Sequence, residues 1–245
     1  MAGHSHWANI QRTKGAADKK KAKLFAKLAR NIQVAAKEGG SNADMNFKLA
    51  TALEDARAAS MPRDTIERSI KKGTGEIDGA TFEQVTYEGY GPGGVAVIAE
   101  ALTDNKNRLA ADIRRIFENA NGSLGTTNCV MFMFQRKGVL TFPVAIATED
   151  QMMNDALDAG AENMEIDGDL YVITAPPAEF EGVKKALAKK YKPASTDIAM
   201  VPKDWIKVDD EVGRKVMTLL ENLDDNEDVQ KFYMNAEMPE TAVEK

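Results

Sequence analysis

The sequence predicts an α+β chain in three parts: an N-terminal helical domain and two α/β domains, one of them a ferredoxin-like βαββαβ unit inserted into the other. Three observations carry this. Apolar residues recur every three or four positions up to about residue 75. The composition then shifts to Val, Tyr, Phe and Thr beyond TGEIDGA. Finally, Asp167-Gly168, a hairpin signal, sits between two strand-like runs that are each flanked by a helical pattern. The expected boundaries are 1–75 for the helical basic domain, 80–135 plus 206–238 for a discontinuous middle domain, and 136–205 for the insert.

In the first part, Leu24, Leu28, Ile32 and Ala35 mark the buried stripe of a helix from Ala17 to Lys37, closed by Gly39 and Gly40. Lys20, Lys23, Lys27 and Arg30 have the same spacing on another face, which predicts a basic stripe shown to solvent. Ser41 and Asp44 suggest the cap of a second helix, with Leu49, Leu53 and Ala56 inward. Pro62 suits the start of a third, with Ile66 and Ile70 inward and Gly73 as its stop. In the middle part, Phe82–Glu88 and Val95–Thr103 read as strands around the GYGPGG turn, Asn107–Asn119 as a helix and Asn128–Gln135 as a strand. The insert reads as strand 138–144, helix 149–159, strands 163–166 and 170–174, helix 178–191 and strand 195–202. A last helix, 210–223, and strand, 229–233, are too small to form a core alone and must return to the middle domain. Loops near Gly73–Ala80, Gln135 and Trp205 suggest hinges, and the terminal NAEMPETAVEK reads as frayed.

Composition narrows the function classes. With 43% hydrophobic and 29% charged residues the chain can fill a core and stay soluble. The longest apolar run falls far short of the ~18 residues that span a membrane, and no secretory leader is legible, so a cytoplasmic protein without membrane contact is expected. Cys129, the single cysteine, sits in CVMFMF and reads as an inert thiol in a buried strand. Charge is distributed unevenly. His4 to Arg30 holds eight Lys or Arg against Asp18 alone, a balance of +7, which leaves −13 on the rest of a chain whose net charge is −6. Such asymmetry is the footprint of a segment facing a polyanion.

Catalytic arrangements are poorly served. The only histidines are His4 and His6, so neither Cys129 nor a serine in the body has an imidazole partner. GYGPGG leads into a strand and lacks the Lys of a phosphate loop, which favours a structural turn. The acids Asp209, Asp210, Glu211, Asp224, Asp225, Glu227 and Asp228 lack calcium-loop spacing and read as solvated faces. Should Met1 be removed, Ala2-Gly3-His4 would offer nitrogen ligands to Cu(II), an incidental site. No enzyme activity, resident metal or cofactor is expected. The basic stretch is then the candidate nucleic-acid contact, through Trp7, Arg12, Lys14, Lys19, Lys20, Lys23, Lys27 and Arg30. Tyr87, Tyr90, Lys106 and Arg108 form a secondary set. Without a base-reading motif the contact should be to phosphate and shape.

GHSHWANI with its basic continuation, YEGYGPGG at Tyr87–Gly94, TDNKNR at Thr103–Arg108 and NGSLG at Asn121–Gly125 closely resemble the YebC/PmpR family of probable transcriptional regulatory proteins. That family also includes mitochondrial translational activators of cytochrome c oxidase. The resemblance runs in order along essentially the whole chain and implies three domains, a helical N-terminal one and two α/β ones. His6 stands where the family's GHSKW opening has Lys, which makes one basic contact pH-dependent or absent. The resemblance implies either DNA binding in transcription regulation or ribosome association that assists stalled elongation, so the expected partner is DNA or ribosomal RNA, the latter within the ribosome, met by a monomer. An acidic body would be repelled by a long duplex yet could present its basic head to an RNA groove.

Overall fold

The computed structural model describes residues 17–239. Helix α1 (Ala17–Gly39) is followed by α2 (Phe47–Ala58) and α3 (Arg63–Thr74). Leu28, Ile32, Ala35 and Ala36 of α1 close on Leu49, Leu53, Ala56, Met61 and Ile66 in an apolar cluster built wholly from this three-helix unit. Two sequence expectations shift here. The cap of α2 is Asn46, not Ser41 or Asp44. Its Oδ1 accepts from Leu49 N–H at 3.1 Å, while its Nδ2 donates to the carbonyls of Ala35 and Gly40 at 2.8 and 2.9 Å, so one buried amide closes α1 and opens α2. The stop of α3 is Gly75, left-handed at φ 80°, and Gly73 lies inside the helix. A Cβ on Gly73 would stand 2.4 Å from the Gln33 carbonyl oxygen, so α1 and α3 approach backbone to backbone. Although alanine is the better helix former by ~1 kcal/mol, Gly73→Ala is expected to destabilise the protein by about 2 kcal/mol through overpacking. Urea denaturation checks this; a stabilised variant would contradict the contact.

The middle domain begins with β1 (Glu83–Tyr90), β2 (Ala96–Thr103), α4 (Lys106–Asn119) and the short β3 (Ser123–Leu124). The insert runs β4 (Phe134–Pro143), α5 (Glu149–Asp158), β5 (Asn163–Asp167), β6 (Leu170–Ala175), α6 (Phe180–Ala188) and β7 (Ser195–Pro202). Then come β8 (Ile206–Lys207), α7 (Asp210–Asp225), β9 (Val229–Met234) and β10 (Ala236–Glu237). The sheet order β5-β6-β4-β7, antiparallel throughout, is that of a ferredoxin-like unit. The other sheet has the order β3-β1-β2-β9, so the chain leaves after β3, builds the insert and returns to pair β9 with β2.

Both faces of β2 are covered. Val97, Ala99 and Ala101 pack against Leu109, Ile113 and Phe117 of α4 and Val216, Leu219 and Leu223 of α7. Ala96 and Ile98, with Tyr233 of β9, face Phe134, Val139, Val172 and Ala199 of the insert. The two sheets therefore share an apolar layer, which opposes hinge motion about Gln135 or Trp205. Burial beside Glu100 pushes the Tyr233 phenol far above its ordinary value.

The expected strand Asn128–Gln135 is not formed. Residues 127–128 are turn and 129–130 a bend, Met131–Met133 is a 3-10 turn, and the strand begins at Phe134, which already pairs with Pro202 of β7. The boundary drawn after residue 135 thus falls inside β4. Cys129 is partly buried in this loop, its thiol pushed up by burial and by nearby Glu88. Of the terminal stretch, residues 235–239 are described, and they pack on the body. Asn235 accepts from Ala96 N–H at 2.8 Å, and Ala236 and Met238 are buried.

Candidate nucleic-acid interface

Of the predicted contacts, Trp7, Arg12 and Lys14 lie outside the described residues, as does the Ala2-Gly3-His4 segment. Lys19 and Lys20 fall on the first turn of α1. The next three predicted cations point inward to the body, not into solvent. Lys23 Nζ is 2.7 Å from Asp225 Oδ1, and Lys27 Nζ is 3.0 Å from Asp224 Oδ1 and 2.9 Å from the Asp224 carbonyl. Arg30 reaches Glu227 Oε2 at 3.5 Å and Asp228 Oδ1 at 3.2 Å, donates to the Glu227 carbonyl, and lays its guanidinium over the Phe82 ring at 5.4 Å. Side-chain exposure is only 13% at Lys27 and 15% at Arg30. Four of the acids read as solvated, Asp224, Asp225, Glu227 and Asp228, are their partners. Periodicity identified a cationic face without revealing what it meets.

This junction has a hub. Asp228 is buried just past α7, and its Oδ2 accepts from Arg108 Nη2 at 2.8 Å and Thr103 Oγ1 at 2.9 Å, while Oδ1 faces Arg30. Asn105 caps α4 by accepting from Arg108 N–H at 3.0 Å, which sets Arg108 on the first turn pointing at Asp228. The TDNKNR stretch is therefore a carboxylate-holding device, and Asp228 with Asp104 raises the Arg108 guanidinium above its ordinary value. Of the secondary set, Lys106 pairs with Glu83 at 2.5 Å. Tyr87 packs on the core and donates to the Lys106 carbonyl at 3.3 Å, its phenol pushed up first by burial and then by Asp228. Tyr90 donates to the Cys129 carbonyl at 3.1 Å and joins the layer between the sheets. Both rings are used by the fold and are not laid out as stacking platforms.

YEGYGPGG acts through Glu88, a residue that motif and charge patterns do not single out. This side chain is buried and accepts from three backbone N–H groups, those of Asn128 at 2.7 Å, Val130 at 3.0 Å and Met131 at 2.8 Å. Gly93 and Gly94 turn the chain at positive φ into β2 with no helix behind them, as a structural turn requires. Glu88 lies towards the end of a mixed strand, EQVTYEGY, where nothing local sets it apart from Glu83. For Asp228 the signal was an acidic run as dense as the basic one.

Lys37 continues the row of Lys23, Lys27 and Arg30 two turns further along α1. It is exposed and has no ion pair among the described residues. With Lys72 and Gln33 it lines an open cleft of about 300 Å³ beneath residues 77–82. No group of His, Cys, Asp or Glu among the described residues is arranged to hold a metal ion, and no described helix is long and apolar enough to cross a membrane.

Fold and site define a three-part α+β protein whose cationic helix is clasped by its own carboxylates and whose signature motifs hold structure. The chain belongs to the TACO1/YebC family: residues 5–76 match its N-terminal domain and 82–236 its second and third domains. A probable transcriptional regulatory protein of Dictyoglomus turgidum is 48% identical over 98% of this chain and 97% of its own length. The probable transcriptional regulatory protein YrbC of Bacillus subtilis is 46% identical over 96% and 99%. Among solved structures, a conserved hypothetical protein of Aquifex aeolicus superposes with a TM-score of 0.87 at 40% identity, covering 98% of this chain and all of that one.

Proposed function

We propose that this protein is a non-enzymatic, nucleic-acid-binding regulator of gene expression that contacts phosphates through the cationic face of α1. The observation carrying the reading is the row Lys23, Lys27, Arg30 and Lys37, fixed on one helix face and engaged with oxyanions along most of its length. Carboxylates and phosphates ask the same of Lys and Arg, a charge-assisted hydrogen bond to oxygen, so a row that fits one fits the other. Lys19, Lys20, Arg12, Lys14 and Trp7 extend the contact toward the N-terminus. The relatives' names favour DNA as target and transcription as process, carried out by a cytoplasmic monomer without cofactor.

A second reading, a ribosome-associated RNA-binding factor, is favoured by the charge of −13 outside His4–Arg30, which a long duplex would repel. Co-sedimentation with ribosomes, set against gel shifts on promoter duplex at physiological salt, separates the two readings. For either target, changing Lys23, Lys27 and Arg30 to Gln should weaken binding at least tenfold and reduce the slope of log K against log salt by about three. An unchanged slope would remove these residues from the contact.

A further inference from the structure

The contact between α1 and the body differs in kind from the other large junction of the molecule. The two sheets share a continuous apolar layer. The helical unit keeps its apolar cluster to itself. It is joined across to the α7–β9 corner by Lys23–Asp225, Lys27–Asp224 and Arg30 with Glu227 and Asp228, and by Arg30 over Phe82. The covalent tether is residues 75–82, which carries Gly75 and Gly79 and is largely exposed. An interface of partly exposed ion pairs is weak and salt-sensitive, whereas an apolar one is neither.

Asp224, Asp225 and Glu227 occupy the donors that a phosphate backbone would need. We propose that this acidic corner is an autoinhibitory latch: it stands in for phosphate on α1, and a nucleic acid gains Lys23, Lys27 and Arg30 only by displacing it and swinging the helical unit about 75–82. The inference rests on the reading of α1 as the phosphate contact and adds its regulation. Lys37 and Lys72, which pair with no acid of the corner, offer a first foothold next to the tether. Asp228 stays with the body because Arg108 and Thr103 hold it. The latch also gives the acidic corner a use: it suppresses weak non-specific binding and yields to a target that supplies several phosphates at once.

The test uses the full chain and a fluorescein-labelled RNA hairpin and DNA duplex, read by anisotropy. Changing Asp224 and Asp225 to Asn and Glu227 to Gln, with Asp228 kept, should tighten binding about tenfold and enlarge the radius of gyration seen by X-ray scattering. A matched variant, Glu149→Gln with Asp150→Asn and Asp158→Asn, removes the same charge from exposed positions on α5 and should move neither readout comparably. Equal tightening in the two variants would reduce the effect to net charge and overturn the latch. Unchanged affinity in the corner variant, while the Lys23, Lys27 and Arg30 changes still weaken binding at least tenfold, would overturn the latch and leave the phosphate contact standing. If neither wild type nor the corner variant binds either nucleic acid, the proposed function falls and the latch with it.

Discussion

Glu88→Ala is expected to lower stability by about 4 kcal/mol, a large effect for a single side chain. The carboxylate is buried and serves three backbone donors at 2.7–3.0 Å, so its loss leaves the Asn128, Val130 and Met131 N–H groups without that partner, the one at Val130 in a buried position. The damage spreads because the 126–133 loop places Val130 in the layer between the two sheets and gives Tyr90 its carbonyl acceptor at Cys129. Glu88→Gln should cost roughly half as much, since it keeps one acceptor oxygen and turns an amide N–H₂ toward donors. Urea denaturation gives the energies, and hydrogen exchange at residues 128, 130 and 131 localises them. A loss below ~1 kcal/mol for the alanine variant would mean that the loop finds other partners.

Asp228→Ala is expected to cost about 3 kcal/mol and to act on two domains at once. It removes the acceptor of Arg108 and Thr103 and the partner of Arg30, whose guanidinium is largely covered. Because Arg108 is half exposed and already pairs with Asp104 at 2.8 Å, the penalty falls short of that for a fully buried pair. Two signatures follow: a lower urea midpoint, and faster exchange in α1 as well as at the start of α4. If exchange in α1 is unchanged, Arg30 is held by Glu227 and Phe82 alone and the hub does not reach the helical domain.

The helices and the insert were legible because each follows from a local rule. The α1 stripe obeys a period of three to four, the Asp167-Gly168 signal marks the β5–β6 hairpin to within one position, since Asp167 already pairs with Leu170 and the turn is Gly168-Asp169 with Gly168 at φ 64°, and the shortage of core in residues 206–238 requires a return to the middle sheet. Where local signals compete, the reading shifts. CVMFMF is as apolar as a strand, yet Glu88 draws three amides of the loop toward itself and delays the strand to Phe134. Ser41 and Asp44 have capping chemistry, but only Asn46 reaches both the end of α1 and the start of α2.

The sequence by itself determined the three-part architecture, the helical register that puts Lys23, Lys27 and Arg30 on one face, and the charge asymmetry between His4–Arg30 and the rest of the chain. The tertiary structure decided what that face touches. Lys27 and Asp224 are separated by 197 positions, and no periodicity relates them. A helix fixes which of its side chains share a side through 1.5 Å steps of backbone, whereas the partner of that side is chosen by how separate domains close on one another.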